Sequence, residues 1–308
     1  MIKRILAVAV TLVLLLWLLS SDQGMAFVSV LGRLDPGVIA IAAAGFAASY
    51  LLRALRVWDE FRHEQPGRFG ACLRIVLIHN AMVNIIPFRG GEAAFPILLG
   101  RLFGTPLGRA VASLFWFRLQ DAFVVFALAI CVWPGLPLWV RGVGLACLLI
   151  TAFTLPRWAR RPHDWLTRSG PLSKLAKVRD AFAASTQHAR YGWLWTIANW
   201  SVKLAAQAWL LATVLPADIA VGAAGALGAE LAAILPIQGV AGFGTYEAGS
   251  AAAMTPHGVT LQAGLQAALA LHLFVIACAC TAGFLAWLAG HLGDNSANAT
   301  HSSGQEYK

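Results

Sequence analysis

Long runs of apolar residues, separated by short polar segments, constrain the fold of this chain more than any other feature. A helix that crosses the hydrocarbon core of a bilayer needs about 20 apolar residues, and several runs approach or exceed that length. Hydrophobic residues make up 59% of the chain and charged residues only 12%, a balance that a soluble domain of 308 residues would not carry. The sequence therefore predicts an all-α integral membrane protein.

Six runs are long enough to cross the membrane as single helices, and they cover residues 4–20, 36–54, 109–133, 138–155, 192–214 and 260–290. The first could pass for a signal peptide, but no small-residue cleavage site closes it cleanly and further spans follow, so we interpret it as a retained span. Two other apolar regions, 75–104 and 220–255, are interrupted by glycine and proline near the middle. Their halves are too short to cross a bilayer, which predicts two broken or re-entrant helical hairpins.

Basic residues orient these spans. Arginine and lysine concentrate in segments 53–74 and 156–190, whereas the connections 21–35, 134–137 and 215–219 contain only Arg33 among these residue types. The positive-inside rule places the two basic segments, and with them both termini, in the cytoplasm. The hairpins then open to opposite sides of the inner membrane, which predicts an inverted repeat with a site near the midplane. The alternative is that glycine and proline are simply common in membrane helices.

Several function classes are excluded by composition and by missing motifs. The net charge of +9 is carried by the segments between spans, so we expect no nucleic-acid partner. The five cysteines lie in or beside apolar runs without metal-ligand spacing, and we expect no metal and no cofactor. No phosphate-binding loop of the ATPase type is present, so this chain does not hydrolyse ATP. Residues 1–293 are predicted to form one polytopic membrane domain, followed by a disordered polar tail over 294–308.

Ionisable residues inside apolar runs mark the candidate site. The first break contains Arg89 and Glu92, which follow Asn84, and such groups at membrane depth are costly and usually functional. The second break has a looser counterpart that ends in Glu247 and is preceded by Glu230. Its glycines, Gly242 and Gly244 among them, allow backbone N–H groups to approach a ligand closely. Helices that begin after each break would favour an anionic head group.

Two further sets of polar residues lie deep in predicted spans. Arg118 and Asp121 are spaced i,i+3 and can pair, either as a structural clamp or as part of a site. A second set recurs every four residues and forms one polar stripe, and it consists of Asn199, Lys203 and Gln207. That stripe lines a cavity or faces a partner helix, and the charge of Lys203 requires a phosphate or a carboxylate. His79 and His272 are interpreted as hydrogen-bonded structural groups.

These residues resemble the lysylphosphatidylglycerol synthase transmembrane family, also called the flippase-like domain family, over nearly all of the apolar chain. The resemblance is carried by Asn84, Pro87, Arg89, Gly91 and Glu92 in the first break, by Arg118 and Asp121, and by Pro236, Gly242, Gly244 and Glu247 in the second. It implies a membrane domain that moves lipids or lipid-linked molecules between leaflets, with envelope-synthesis enzymes as possible partners. Two features depart from the family. No soluble aminoacyl-transfer domain follows here, so we expect no lipid lysylation, and Phe117 stands where members often carry an acid.

The resulting hypothesis is a lipid translocase. Arg89, Arg118 and Lys203 would hold an anionic head group, and Glu92 and Glu247 would close the site or exchange protons. The full predicted substrate site comprises Asn84, Arg89, Gly91, Glu92, Arg118, Asp121, Lys203, Glu230, Gly242, Gly244 and Glu247. Two alternatives stay open. One is a membrane-embedded transferase with Glu92 or Glu247 as general base, and the other is a non-transporting subunit of an envelope-synthesis complex.

Overall fold

A computed structural model describes residues 32, 34–64, 66–86, 90–133, 135–161, 171–234 and 240–303, and within these ranges the chain is helical without β-strands. We number the α-helices in chain order. They are α1 (Pro36–Phe61), α2 (Phe69–Ile85), α3 (Ala94–Phe103), α4 (Leu107–Val132), α5 (Leu138–Arg160), α6 (Pro171–His188), α7 (Gly192–Val214), α8 (Ile219–Ile234), α9 (Thr245–Met254) and α10 (Leu261–Ser303).

Four of these helices are long and apolar enough to cross a membrane: α1, α4, α5 and the part of α10 over Leu261–Leu292. They correspond to four of the predicted spans, and the chain is an all-α integral membrane protein, as predicted. Helix α7 has a comparable length of 23 residues, but polar side chains lower its hydropathy and it is not among the four. The predicted span at 4–20 lies outside the described residues.

The first interrupted region is a broken helix. Helix α2 ends at Ile85, a short 3₁₀ turn covers Gly90–Ala93, and α3 starts directly after it. The turn and α3 both pack against α2. Gly91 makes this packing possible, since a Cβ at that position would lie 2.2 Å from the carbonyl oxygen of Met82. Residues 87–89, which include Arg89, lie outside the described part of the chain.

The second interrupted region is broken in the same manner. Helices α8 and α9 pack along each other and are separated by a 3₁₀ turn at Val240–Gly242, while residues 235–239, Pro236 among them, are not described. The two helices touch through glycines, since a Cβ on Gly228 would lie 2.3 Å from the carbonyl oxygen of Gly249. Both regions are therefore helix breaks with packed arms. Their depth in the membrane, their direction of entry and an inverted-repeat relation stay predictions.

The described helices divide into two compact units. The first unit contains residues 47–202 and 278–308, and with them helices α2 to α6. The second unit contains residues 1–46 and 203–277, and with them α8 and α9. Helix α10 continues to Ser303, beyond the position where the predicted disordered tail begins. The division of the chain at residue 293 stays a prediction.

Helix α1 corrects one expectation. The predicted span ended at residue 54, with the arginines after it in a cytoplasmic loop, but the helix continues to Phe61. Arg56 is consequently a buried helix residue rather than a loop residue. The helix extends this far because four polar side chains at helical spacing form hydrogen bonds and ion pairs with other helices of the first unit. These residues are Ser49, Arg53, Arg56 and Glu60.

Candidate functional site

Arg118 is the centre of the polar cluster in the first unit. It projects from α4, and its Nη2 lies 2.6 Å from Oε1 of Glu92, in the 3₁₀ turn of the first break. The other carboxylate oxygen of Glu92 lies 3.2 Å from Nε2 of His79 on α2. The break thus places one carboxylate between an arginine and a histidine, because the turn packs directly against α2.

Asp121 pairs more closely with Arg56 than with Arg118. Nη1 of Arg56 donates to Oδ1 of Asp121 at 2.7 Å, whereas the predicted i,i+3 pair with Arg118 is longer, at 3.5 Å. The indole N–H of Trp200 also donates to Asp121, at 2.9 Å, and Thr196 accepts a second bond from Arg56. This is a fully enclosed ion pair with several hydrogen-bond partners, which is the arrangement that makes a buried charge tolerable.

A small cavity of about 30 Å³ lies between these groups, enough for roughly one water molecule. Its polar lining consists of Arg53, Arg56, His79, Arg118 and Asp121, and its apolar lining of Val57, Val76, Phe95, Leu114 and Phe117. Three arginines against one aspartate give the cavity an excess of positive charge. Accessibility is uneven, because the Arg118 side chain is 38% exposed whereas those of Arg56 and Asp121 are 7% exposed.

Sequence reasoning missed one member of this cluster. Arg56 is grouped with the loop arginines in the sequence, although its spacing from Glu60 continues the helical period. His79 is hydrogen-bonded, as predicted, and its partner is the carboxylate of Glu92. Phe117 is buried, and its ring centre lies 4.6 Å from the guanidinium of Arg56, a cation–π contact that adds to the enclosure of this arginine.

The second unit holds a separate buried cluster. Nζ of Lys203 on α7 lies 2.6 Å from Oε1 of Glu230 on α8. The amide of Gln207, one turn along α7, donates both to Glu230 at 2.7 Å and to the hydroxyl of Tyr246 at 3.1 Å. Of the predicted polar stripe, Lys203 and Gln207 therefore face a partner helix, α8, which is one of the two predicted alternatives. In this conformation the partner of Lys203 is a carboxylate of the same chain.

Glu247 lies beside that network and has its own partners. Its Oε2 accepts the N–H of Gly244 at 2.7 Å, which caps the start of α9. Its Oε1 lies 2.6 Å from Nδ1 of His272 on α10. The His272 ring stacks on Tyr246, with ring centres 4.4 Å apart. Gly242 has a φ of +88°, in the left-handed region that favours glycine, whereas a Cβ there would make only an ordinary contact, 3.6 Å from Nε2 of His272.

The predicted site residues thus occupy two places, and each cluster is described within its own unit. Glu92, Arg118 and Asp121 are brought together in the first unit, and Lys203, Glu230 and Glu247 in the second, beside Gly242 and Gly244. Two predicted residues have local roles in this conformation. The amide of Asn84 donates to the carbonyl of Asn80 in its own helix, and Gly91 serves the packing of the turn.

Comparison with known proteins adds a family. The family model described as the lysylphosphatidylglycerol synthase TM region matches residues 4–283, which is most of the chain. The matched range includes both breaks and all the charged residues of both clusters. No curated protein and no solved structure was found to match the chain.

Proposed function

The chain belongs to the lysylphosphatidylglycerol synthase transmembrane family, and from that membership we propose that it moves an anionic lipid, or a lipid-linked molecule, between membrane leaflets. The observation that carries the proposal is the ion pair of Arg118 and Glu92. An arginine with an exposed side chain is held at a helix break by a carboxylate of the same chain. That carboxylate occupies the place that the anion of a lipid head group would take.

The exchange of anions follows from the chemistry of the guanidinium group. Arginine binds carboxylate and phosphate by the same charge-assisted, often bidentate, hydrogen bonds, so a phosphate can replace Glu92 on Arg118. The present cavity of about 30 Å³ is far too small for a head group. Binding therefore requires the turn that carries Glu92 to move away from α4. The acyl or prenyl chains stay in the bilayer throughout.

The remaining members of the cluster have supporting roles in this proposal. The pair of Arg56 and Asp121 is enclosed, and we assign it to holding Arg118 in position rather than to contact with lipid. His79 keeps the carboxylate of Glu92 near the break when it is not on Arg118. Arg89, which follows the same break outside the described residues, would add a second guanidinium.

The setting follows from the same family relation. We propose that the protein resides in the inner membrane with both termini in the cytoplasm and that it acts beside enzymes that make or consume the lipid. Because no ATPase motif is present, movement is passive, ion-coupled, or driven by synthesis and consumption of the lipid on opposite sides.

The test is reconstitution of the full chain into vesicles that contain fluorescent phosphatidylglycerol, with fluorescent phosphatidylcholine as the zwitterionic comparison. We expect the protein to speed movement of the anionic lipid. Arg118→Gln and Glu92→Gln should each abolish this movement. The first removes the guanidinium that binds the anion, and the second removes the carboxylate that displaces the anion from Arg118. Arg101→Gln, an exposed arginine on α3, is the matched control and should leave movement unchanged.

Two outcomes would contradict the proposal. Normal movement with Arg118→Gln, in a protein of unchanged thermal stability, would remove this cluster from the lipid path. A covalently changed lipid, detected by mass spectrometry of the same vesicles, would identify an enzyme instead.

A further inference from the structure

The proposed function assigns no role to the buried cluster of the second unit. This cluster consists of Lys203, Gln207, Glu230, Tyr246, Glu247 and His272. It combines groups that carry charge permanently with groups that can gain or lose a proton near neutral pH. Its position at the second helix break, on the residue that caps α9, connects its charge to the geometry of the hairpin.

A count of charges separates the cluster into two parts. Lys203 and Glu230 lie 2.6 Å apart and neutralise each other. Glu247 and His272 together carry no net charge only when two protons that can dissociate are bound to the pair. With a single proton, on Nδ1 of the ring and donated to Oε1 of the carboxylate, the pair carries a charge of −1. Addition of one proton brings the pair to zero.

The pair is enclosed and is tied to the start of a helix. Both side chains are nearly inaccessible, at 4% exposure for His272 and 8% for Glu247. The carboxylate of Glu247 also accepts the N–H of Gly244, which caps α9. A change in the charge of the pair would therefore act directly on the helix cap.

Few other ionisable groups lie on the described α-helices of this unit. Over the described α-helices of this unit, the other ionisable side chains are Lys203 on α7, Glu230 on α8 and Tyr246 on α9. The first two already pair with each other, and the Tyr246 ring stacks on His272 while its hydroxyl accepts from Gln207. Residues 36–46 of α1 contain no ionisable group.

We propose that Glu247 and His272 form a proton-binding site that couples proton transfer to lipid movement, a role that rests on the proposed function. One proton enters the pair and the same proton leaves it in each cycle, and no other bond is made or broken. The added proton goes to the ring of His272 and draws the carboxylate of Glu247 toward the imidazolium and away from the N–H of Gly244, so it loosens the start of α9. Loss of the proton restores the cap at Gly244.

Proton binding is tested directly by nuclear magnetic resonance of the full chain, labelled with ¹⁵N at histidine and embedded in lipid nanodiscs. We expect the ring signals of His272, assigned with His272→Gln, to change between about pH 5 and about pH 8. In Glu247→Gln they should stay those of a neutral ring, because the added proton would have no carboxylate partner. Glutamine keeps an acceptor for Gly244, so the helix cap survives the change. Constant His272 signals in the unmodified protein would overturn the proposal.

Coupling is tested in vesicles with fluorescent phosphatidylglycerol and an imposed pH gradient. The gradient should change the initial rate of lipid movement about tenfold, an effect of about 1.4 kcal/mol, and should have no effect in Glu247→Gln or His272→Gln. His291→Gln is the matched control, since that exposed ring bonds only the carbonyl of Trp287 among the described residues, and it should behave as the unmodified protein does.

The failure of this proposal differs from the failure of the proposed function. Lipid movement that ignores the gradient would overturn coupling and leave the translocase intact. Absence of any anionic lipid movement would overturn the translocase and coupling together, while the resonance experiment would still decide whether the pair binds a proton.

Discussion

The two broken helices share a design but differ in what holds their glutamates. Each break has a glycine in backbone contact with the opposite arm and a glutamate at or just after a short turn. Glu92 has a side chain that is 25% exposed, and it holds an arginine from another helix. Glu247 is 8% exposed, and it holds a histidine and its own helix start.

This difference indicates the size of ligand that each break can exchange. A partner as accessible as Arg118, with a permanent positive charge, can trade one anion for another. A partner as enclosed as His272 can trade only a small species, and its ring is of the type that gains and loses a proton near neutral pH. The proposed anion exchange and the proposed proton exchange would thus use similar local geometry, with different burial and a different partner for the glutamate.

An all-or-none test concerns the sides to which the two breaks open. Single cysteines introduced in a background without native cysteines should react from the cytoplasm at position 101, after the first break. They should react from the outside at position 257, after the second, because basic segments set the orientation of the spans. Membrane-impermeant maleimide on intact cells and on inverted vesicles measures this. Reaction of both positions from the same side would contradict the prediction that the two hairpins open to opposite sides of the membrane.

The largest energetic effect is expected at Asp121. Asp121→Asn removes the only carboxylate that pairs with Arg56 among the described residues and leaves that guanidinium enclosed without a counter-charge, and removal of one charged member of a buried pair costs about 3–5 kcal/mol. Denaturant unfolding in detergent should report a loss of that size. Asp180→Asn is the matched control, because its side chain is 61% exposed, and it should change stability by less than about 0.5 kcal/mol. Equal effects at the two positions would show that Asp121 is not an enclosed partner.

A smaller effect is expected from methyl groups added at the glycine contacts. Gly91→Ala and Gly228→Ala each place a Cβ against a backbone carbonyl, so the arms of the hairpin must separate, at about 1–3 kcal/mol. Gly108→Ala, in α4 with open space around it, should instead gain up to about 1 kcal/mol from helix propensity. Thermal unfolding compares the three. A gain at Gly91 or Gly228 would contradict the close packing of that break.

The smallest effect separates the two glutamates by affinity. If Glu92 competes with an anion for Arg118, Glu92→Gln should tighten binding of glycerol phosphate about tenfold, which corresponds to about 1.4 kcal/mol. Glu64→Gln is the control, since this glutamate also pairs with an arginine, at 3.0 Å, but lies outside the cluster. Calorimetric titration in detergent measures the change. A similar gain with Glu247→Gln would erase the distinction between the two breaks.

The sequence predicted the class of fold and the breaks well because both depend on local chain properties. Apolar length identifies spans, and glycine and proline interrupt them, so no knowledge of packing is needed. Pairing partners depend on contacts between helices that are distant in sequence. The predicted i,i+3 pair of Arg118 and Asp121 is present, yet each member has a closer partner, 26 residues away in Glu92 and 65 residues away in Arg56.

Where the local sequence pattern did not identify pairing partners, the free-energy cost of an isolated buried charge still indicated that partners must exist. It required partners for Lys203 and Glu247 without identifying them. Arg56 was overlooked because a dense set of arginines near a span end is typical of a cytoplasmic loop. The hydrogen-bonded role predicted for His272 is confirmed, but only packing identifies its partner, because a single histidine in an apolar helix has no pattern that points to the carboxylate beside it.

The turn between α4 and α5 has a consequence for biosynthesis. The guanidinium of Arg141 donates to three backbone carbonyls at the end of α4 and in the turn, those of Cys131, Trp133 and Leu136. None of the apolar stretch of α5 is buried among the described residues, so that stretch is available to lipid. The contacts of Arg141 need only the end of α4 and the start of α5, so we expect the turn to form as soon as these two helices have been synthesised, before the helices of the second break.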